Sequence, residues 1–287
     1  MTKHEKIKNQ TYDLYGGRVC FNEWCGVHHE KSTPLDTRMA IPWSPRIASA
    51  QGVIGPGILA VIADIVGGQV ASSEYGWKAQ IATISLALSV TSAVPPRVGL
   101  LANGHKVVED DGTILSEIRI TTDNENKTLV ATAQLRKIVI ARPPCPIEPG
   151  QYPPIEYDDA MPFMSEQDIS FKGNGDRLLS RMEARPHFMG NVARRALHGG
   201  LVAAGLLETI AELGRRQEKC FVPFDSVVDF FSPARDTAMD VSAQMLQAGG
   251  RIGFAEAEMF QEPPGSERRK IARLSATLRH IATSGQT

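Results

Sequence analysis

The chain repeats itself, and that limits its architecture more than any single motif. Thr37–Gly57 (TRMAIPWSPRIASAQGVIGPG) lies over Ser180–Gly200 (SRMEARPHFMGNVARRALHGG) without a gap; both carry Arg-Met near the start and both end in glycine. Three further blocks follow in the same order. SLALSVTSAVP from Ser85 lies against SVVDFFSPAR from Ser226, ILSEIRI from Ile114 against GFAEAEM from Gly253, and LRKI from Leu135 against LRHI from Leu278. Few residues are identical, but order and spacing hold over about 100 residues, the mark of a duplicated folding unit.

Each half reads alike: an extended segment, a Gly-containing turn, a helix of small apolar residues (ILAVIADIVGGQVA; LVAAGLLETIAELGRR), then three stretches with strand-like alternation. A helix that is apolar on nearly every face is buried on all sides. A curved antiparallel sheet wrapped round one helix satisfies the pattern. Between the halves Arg142–Pro162 is dense in proline, which removes backbone donors and reads as a semi-rigid linker. The expected organisation is α+β: one unit over 1–145, a linker at 146–162 and a second unit over 163–287.

Composition narrows the function classes. Of the 287 residues 42% are hydrophobic and 22% charged, the balance of a globular protein, and the net charge of -1 offers no polyanion-binding surface. Nucleic acid is not an expected partner. No apolar run reaches the roughly 18 residues that cross a bilayer, and the polar N-terminus lacks a signal-peptide core, so a cytoplasmic protein with no membrane partner is expected. Four scattered cysteines do not make a disulfide framework. Cys20, Cys25, His28 and His29 are all zinc-ligand types, but no second ligand pair follows at finger distance, so the segment reads as a strand or loop with partly buried thiols, and no metal is expected.

The sharpest local feature is LHGGLVAAGLLET (Leu197–Thr209) followed by VVDFFSPAR (Val227–Arg235). It resembles the hotdog-fold acyl-CoA thioesterases of the phenylacetyl-CoA and 4-hydroxybenzoyl-CoA type, which show His-Gly-Gly, a small-residue helix carrying an acid, and a strand ending in Pro-Ala. The resemblance spans both halves and implies a double hotdog: two antiparallel sheets, each round a central helix, joined into one continuous sheet. It implies hydrolysis of an acyl-CoA or acyl-carrier thioester without a cofactor, at a site between the units. The glycine turn would come from one unit and the helix carboxylate from the other. Further assembly of the double unit into a homo-oligomer is compatible with it.

The chemistry is plausible on physical grounds. A helix start has unpaired N–H groups and the positive end of a dipole, and glycine lets a thioester approach it. A carboxylate nearby serves as general base or nucleophile. In the family the donor follows the histidine and the acid comes eight residues later. Carried over, the second half has Gly199 as donor but Leu207 at the acid position, with Glu208 one residue late. The first half has Pro56, which has no N–H, at the donor position and Asp64 as acid. The expectation is therefore one complete site, Asp64 with Gly199, and a relic twin of Pro56 and Leu207 with neither donor nor base, Glu208 and Thr209 being its remnants. His198 and Gly200 shape the turn, and Asn191 lies near where the family often orients a water. Arg235 and Arg251 are candidates for the CoA phosphates. Two alternatives stay open: a hotdog 3-hydroxyacyl-thioester dehydratase, which HFMGN (His187–Asn191) faintly suggests, and a non-catalytic acyl-CoA-binding protein.

Overall fold

A computed structural model describes residues 20–76, 79–141, 169–191, 195–263 and 265–281. The Pro-rich segment, Cys145 and both expected unit boundaries lie outside them. After a short helix α1 (Cys20–Trp24), the first half runs β1 (His28–Thr33), β2 (Asp36–Ile41), α2 (Pro56–Glu74), β3 (Gln80–Val90), β4 (Leu100–Asp110), β5 (Thr113–Thr122) and β6 (Leu129–Ala141). The second runs β7 (Ser170–Lys172), β8 (Arg177–Met182), β9 (Met189–Asn191), β10 (Ala196–Leu197), α3 (Gly199–Arg215), β11 (Phe221–Phe230), β12 (Met239–Ala248), β13 (Ile252–Gln261) and β14 (Arg269–His280).

Twelve of these strands form one antiparallel sheet in the order β1-β2-β4-β5-β6-β3-β11-β14-β13-β12-β8-β7. Read inward from either edge the order is the same, and the halves meet where β3 pairs β11, Ser85 facing Asp229 and Ser89 facing Asp225. Even the irregularities recur. A break between Lys106 and Val108 in β4 returns between Met245 and Gln247 in β12, and one between Thr83 and Ser85 in β3 returns between Pro223 and Asp225 in β11. A bulge re-aims the side chains beside it, and the β3 bulge sits at the candidate site.

These bulges correct the sequence alignment. The match at Gly57 and Gly200 holds, since both are the second residue of their helices, and so does Ile114 with Gly253. The Leu135–Leu278 match slips by two, and the Ser85–Ser226 match by one. Thr83 and its cross-strand partner Lys137 correspond instead to Pro223 and its partner Leu278.

Helices α2 and α3 pack on each other and on the strands of their own halves. Pro56–Glu74 is long and apolar enough to span a bilayer by length and composition, contrary to the expectation, but 83% of its most apolar window is buried in protein. Around Cys25 no cluster forms. Cys20 and Cys25 belong to α1 and its end, His28 and His29 to β1, and no metal-binding group of three ligands exists among the described residues. Cys25 is buried, which pushes its thiol pKa up and makes it inert.

Candidate active site

The two glycines that open α3 are there because α2 passes directly across them. A Cβ on Gly200 would lie 2.8 Å from Val61 Cα, and one on Gly199 would lie 2.9 Å from Asp64 Oδ2. With no side chains in the way, the start of α3 meets the middle of α2. The Gly200 N–H donates to Asp64 Oδ2 at 2.7 Å. Asp64 therefore caps, from the other half of the chain, one of the N–H groups that a helix start leaves unpaired. His198 is the N-cap itself; its Nδ1 accepts from the same N–H at 3.1 Å and lies 3.3 Å from Asp64 Oδ2. The Gly199 N–H has no acceptor among the described residues, and Gly199 lines a cavity that opens beside Asp64.

Two residues absent from the sequence reading complete the site. Thr83 on β3 donates its hydroxyl to Asp64 Oδ1 at 2.6 Å. Lys137 on β6 donates to the same oxygen at 2.5 Å and to Thr83 Oγ1 at 2.6 Å. Asp64 is 3% exposed and the Lys137 side chain 5%, so this is an ion pair taken out of water. Burial alone would push the Asp64 pKa up. The Lys137 charge, the His198 ring and the hydrogen bonds from Lys137 and Thr83 outweigh it and bring the group down to about 2. His198 is lowered to about 4, mainly by burial, so its ring is neutral near pH 7.

The cavity encloses about 390 Å³. Its floor is Asp64, Thr83 and Lys137. One wall is α2 (Ile65, Gly68, Gln69, Ser72), and the rim comes from the other half, Phe230 to Arg235.

No protein-family model matches the sequence, and no curated protein does. Solved structures do resemble it. A putative oleoyl thioesterase from Lactobacillus plantarum shares 10% identity over 88% of this chain and 99% of that one, at a TM-score of 0.60. The acyl-CoA thioesterase II TesB2 from Mycobacterium marinum shares 12% over 93% and 99%, also at 0.60. The 12:0-ACP thioesterase from Umbellularia californica shares 7% over 86% and 94%, at 0.56. The chain has the double-hotdog fold of these thioesterases.

Within this double hotdog the twin of the Asp64 site differs from the sequence expectation. Pro56 does lack a donor and Leu207 is buried in the core. Glu208, however, reaches the start of α2: a Cβ on Gly57 would collide with its carboxylate, and the Gly57 N–H beside it opposes the effect of burial on its pKa. The extra methylene of Glu offsets its place one residue later on the helix. A capping N–H and an acid are thus present at both helix starts, but the N–H that Gly199 offers has only Pro56 as its counterpart, and the strands differ as well. Where Asp64 has Thr83 and Lys137, the twin has Pro223 and Leu278. With burial as the main influence, and only the Gly57 N–H opposing it, the Glu208 pKa rises to about 7.

Other candidates scatter. Thr209 belongs to neither site; its buried hydroxyl donates to Gly205 O and pairs with Ser180 Oγ. Arg235 does line the cavity, and Gln261 clamps its backbone on both sides. Arg251 does not. It lies at the Phe221 end of β11, while Arg235 follows Phe230 at the other, roughly 30 Å away along ten residues. Asn191 pairs with Ala196 through its backbone, and its side chain lies outside the described residues.

Lys137 did leave a signal. Ala131, Ala133 and Leu135 set the inward phase of β6, and Lys137 continues it. A lysine on the buried phase of a strand needs a counter-charge. Thr83 left none, because the bulge at Ile84 hides its phase.

Proposed function

We propose that the protein hydrolyses acyl thioesters, with CoA the carrier its rim suits best, and that each half is a hotdog unit built round its own helix. One observation carries this reading: a buried carboxylate, held ionised by Lys137, meets the N-terminus of a helix from the other half at the floor of a largely apolar cavity. The thioester carbonyl enters with its oxygen toward the Gly199 N–H, where one donor contributes roughly 2.7–4 kcal/mol in the transition state. A water bound by Asp64 attacks the carbonyl carbon. Both carboxylate oxygens are already in use, but a carboxylate offers about four lone-pair sites and keeps room for it. Asp64 takes the water's proton as the C–O bond forms, and passes it to the sulfur as the C–S bond breaks. Thr83 and Lys137 fix the carboxylate through this transfer.

The rim fits an anionic carrier. Arg235 lines the cavity there, and after burial its positive charge lowers the Arg269 pKa, so the rim carries the cationic character that an anionic carrier needs. The test is thiol release from a panel of aliphatic and aryl acyl-CoAs. Asp64→Asn should cut turnover about a hundredfold or more; near-normal turnover in that variant would refute the assignment.

A second reading draws on the 3.3 Å approach of His198 Nδ1 to Asp64. An acid and an imidazole from opposite halves could remove water from a 3-hydroxyacyl thioester. Against it, the His198 Nδ1 already accepts the Gly200 N–H. Enone absorbance without thiol release would favour dehydration.

A further inference from the structure

The cavity is apolar along most of its length, but its lining includes polar side chains that the hydrolytic chemistry does not use, Asn22, Gln69 and Ser72 among them. Gln69 lines it from α2, five residues beyond Asp64 and about 7.5 Å further along the helix axis. The residue is 5% exposed, and its carboxamide oxygen is buried with no hydrogen-bond partner among the described residues. Such an orphan is rare, because a buried acceptor left unpaired is destabilising and an apolar residue of the same size would remove the loss. Ser72, three residues on, puts a hydroxyl on the same wall. Gly68, beside Gln69, leaves open space: a Cβ there would meet nothing nearer than Lys137 at 3.9 Å. The polar feature is one-sided. By the Gly57–Gly200 correspondence, Gln69 matches Glu212 on α3, and that carboxylate is satisfied by Arg215 and Arg216 at the surface.

We infer that Gln69 selects the acyl group, and that the substrate is an acyl thioester bearing a hydroxyl on an otherwise apolar chain. The inference rests on the thioester reading of the Asp64 site. With the thioester carbonyl held at Gly199 and Asp64, the acyl chain runs along the Ile65–Gly68 stripe, and its hydroxyl meets the Gln69 carboxamide. Ser72 lies within the same stretch to accept or donate to that hydroxyl. An unsubstituted chain fits the same space but leaves the carboxamide unmet. A site built to bond a hydroxyl rejects the analogue lacking it far more strongly than an apolar pocket rejects an added methylene.

The test uses the full-length protein and non-hydrolysable thioether analogues of acyl-CoA. Matched pairs, with and without a hydroxyl at successive chain positions, are titrated by calorimetry. Wild type should bind one hydroxylated isomer at least tenfold more tightly than its unsubstituted partner. Gln69→Leu, close in size, should bring that ratio to near one. It should also fold at least as stably, because it deletes the unpaired carbonyl. Equal binding of hydroxylated and plain chains by wild type at every position overturns the inference, as does a ratio that survives Gln69→Leu. Thiol release is read in parallel. Turnover of plain acyl-CoAs with no hydroxyl preference leaves the hydrolytic reading standing and sinks this one. A hydroxyl preference in binding without any thiol release does the reverse.

Discussion

Replacing Lys137 with methionine keeps the apolar stem of the side chain and deletes the only lysine or arginine that contacts Asp64 among the described residues. The wild-type Asp64 pKa of about 2, against an ordinary 3.8, corresponds to about 2 kcal/mol of stability at 1.36 kcal/mol per unit. The sign follows from the direction of the shift. A carboxyl depressed in the folded state stabilises above its unfolded pKa, so the contribution is complete above about pH 4 and is lost as pH falls through about 2. In Lys137→Met, burial is no longer outweighed, and the Asp64 pKa moves above 3.8. The linkage then reverses, and the variant loses stability as pH rises from about 4 through its new pKa. At neutral pH an uncompensated buried carboxylate costs about 3–5 kcal/mol, reduced here by the bonds from Thr83 and the Gly200 N–H.

Two measurements check this. Urea unfolding at about pH 4 and about pH 7 should give a wild type at least as stable at the higher pH and a Lys137→Met variant that is weaker there. The pH dependence of kcat/KM should show no acid limb from Asp64 above about pH 3 in wild type, and one shifted upward in the variant. Lys137→Gln, which keeps a donor without the charge, should fall between them. An acid limb at the same pH in all three proteins, with a stability loss independent of pH, would refute the claim that Lys137 holds Asp64 ionised.

Three other perturbations separate the two helix starts. Gly199→Ala places a methyl 2.9 Å from Asp64 Oδ2 and 3.3 Å from Thr83 Oγ1, so thiol release should fall at least tenfold, while circular dichroism reports an intact fold. Gly57→Ala runs first into the Glu208 side chain and not into Asp64 or Thr83, so it should lower the melting temperature and leave kcat close to wild type. Glu208→Gln addresses the raised carboxyl. A group whose folded pKa is about 7 destabilises increasingly from about pH 4.5 to about pH 7, so the variant should gain stability over wild type at pH 8 and not at pH 4.5, as urea unfolding at both values would show.

The duplication was readable because two constraints act in each half at once. A helix buried on all sides needs small residues throughout, and its start must let the other helix pass, which sets glycine at 57 and 200. Those glycines align without a gap and carry the pairing of Asp64 with Gly199 and Gly200. The strands are under a looser constraint. Their inward phase needs only apolar residues of suitable volume, so a slip of two keeps the phase and goes unseen. Aligning Leu135 with Leu278 preserved the pattern and concealed that Lys137 stands over Leu278. A bulge undoes even the phase, which is why Thr83 could not be assigned to the core by alternation.

The misjudged twin has a different cause, and it bears on how such sites diverge. Counting along a helix locates Cβ atoms, and by that count Glu208 points about 100° away from the family position. The count ignores side-chain length, and one methylene is enough to bring the carboxylate back to the Gly57 N–H. Backbone donors and an acid can therefore persist at both helix starts, because capping the opposite helix is useful to stability whatever the chemistry. What that structural role does not maintain is a buried cation, which is costly unless its counter-charge is permanently ionised. In this chain it is retained only at Asp64. Lys137 together with the Gly199 N–H, which Pro56 cannot match, rather than the presence of an acid, then marks which half of this double hotdog should react.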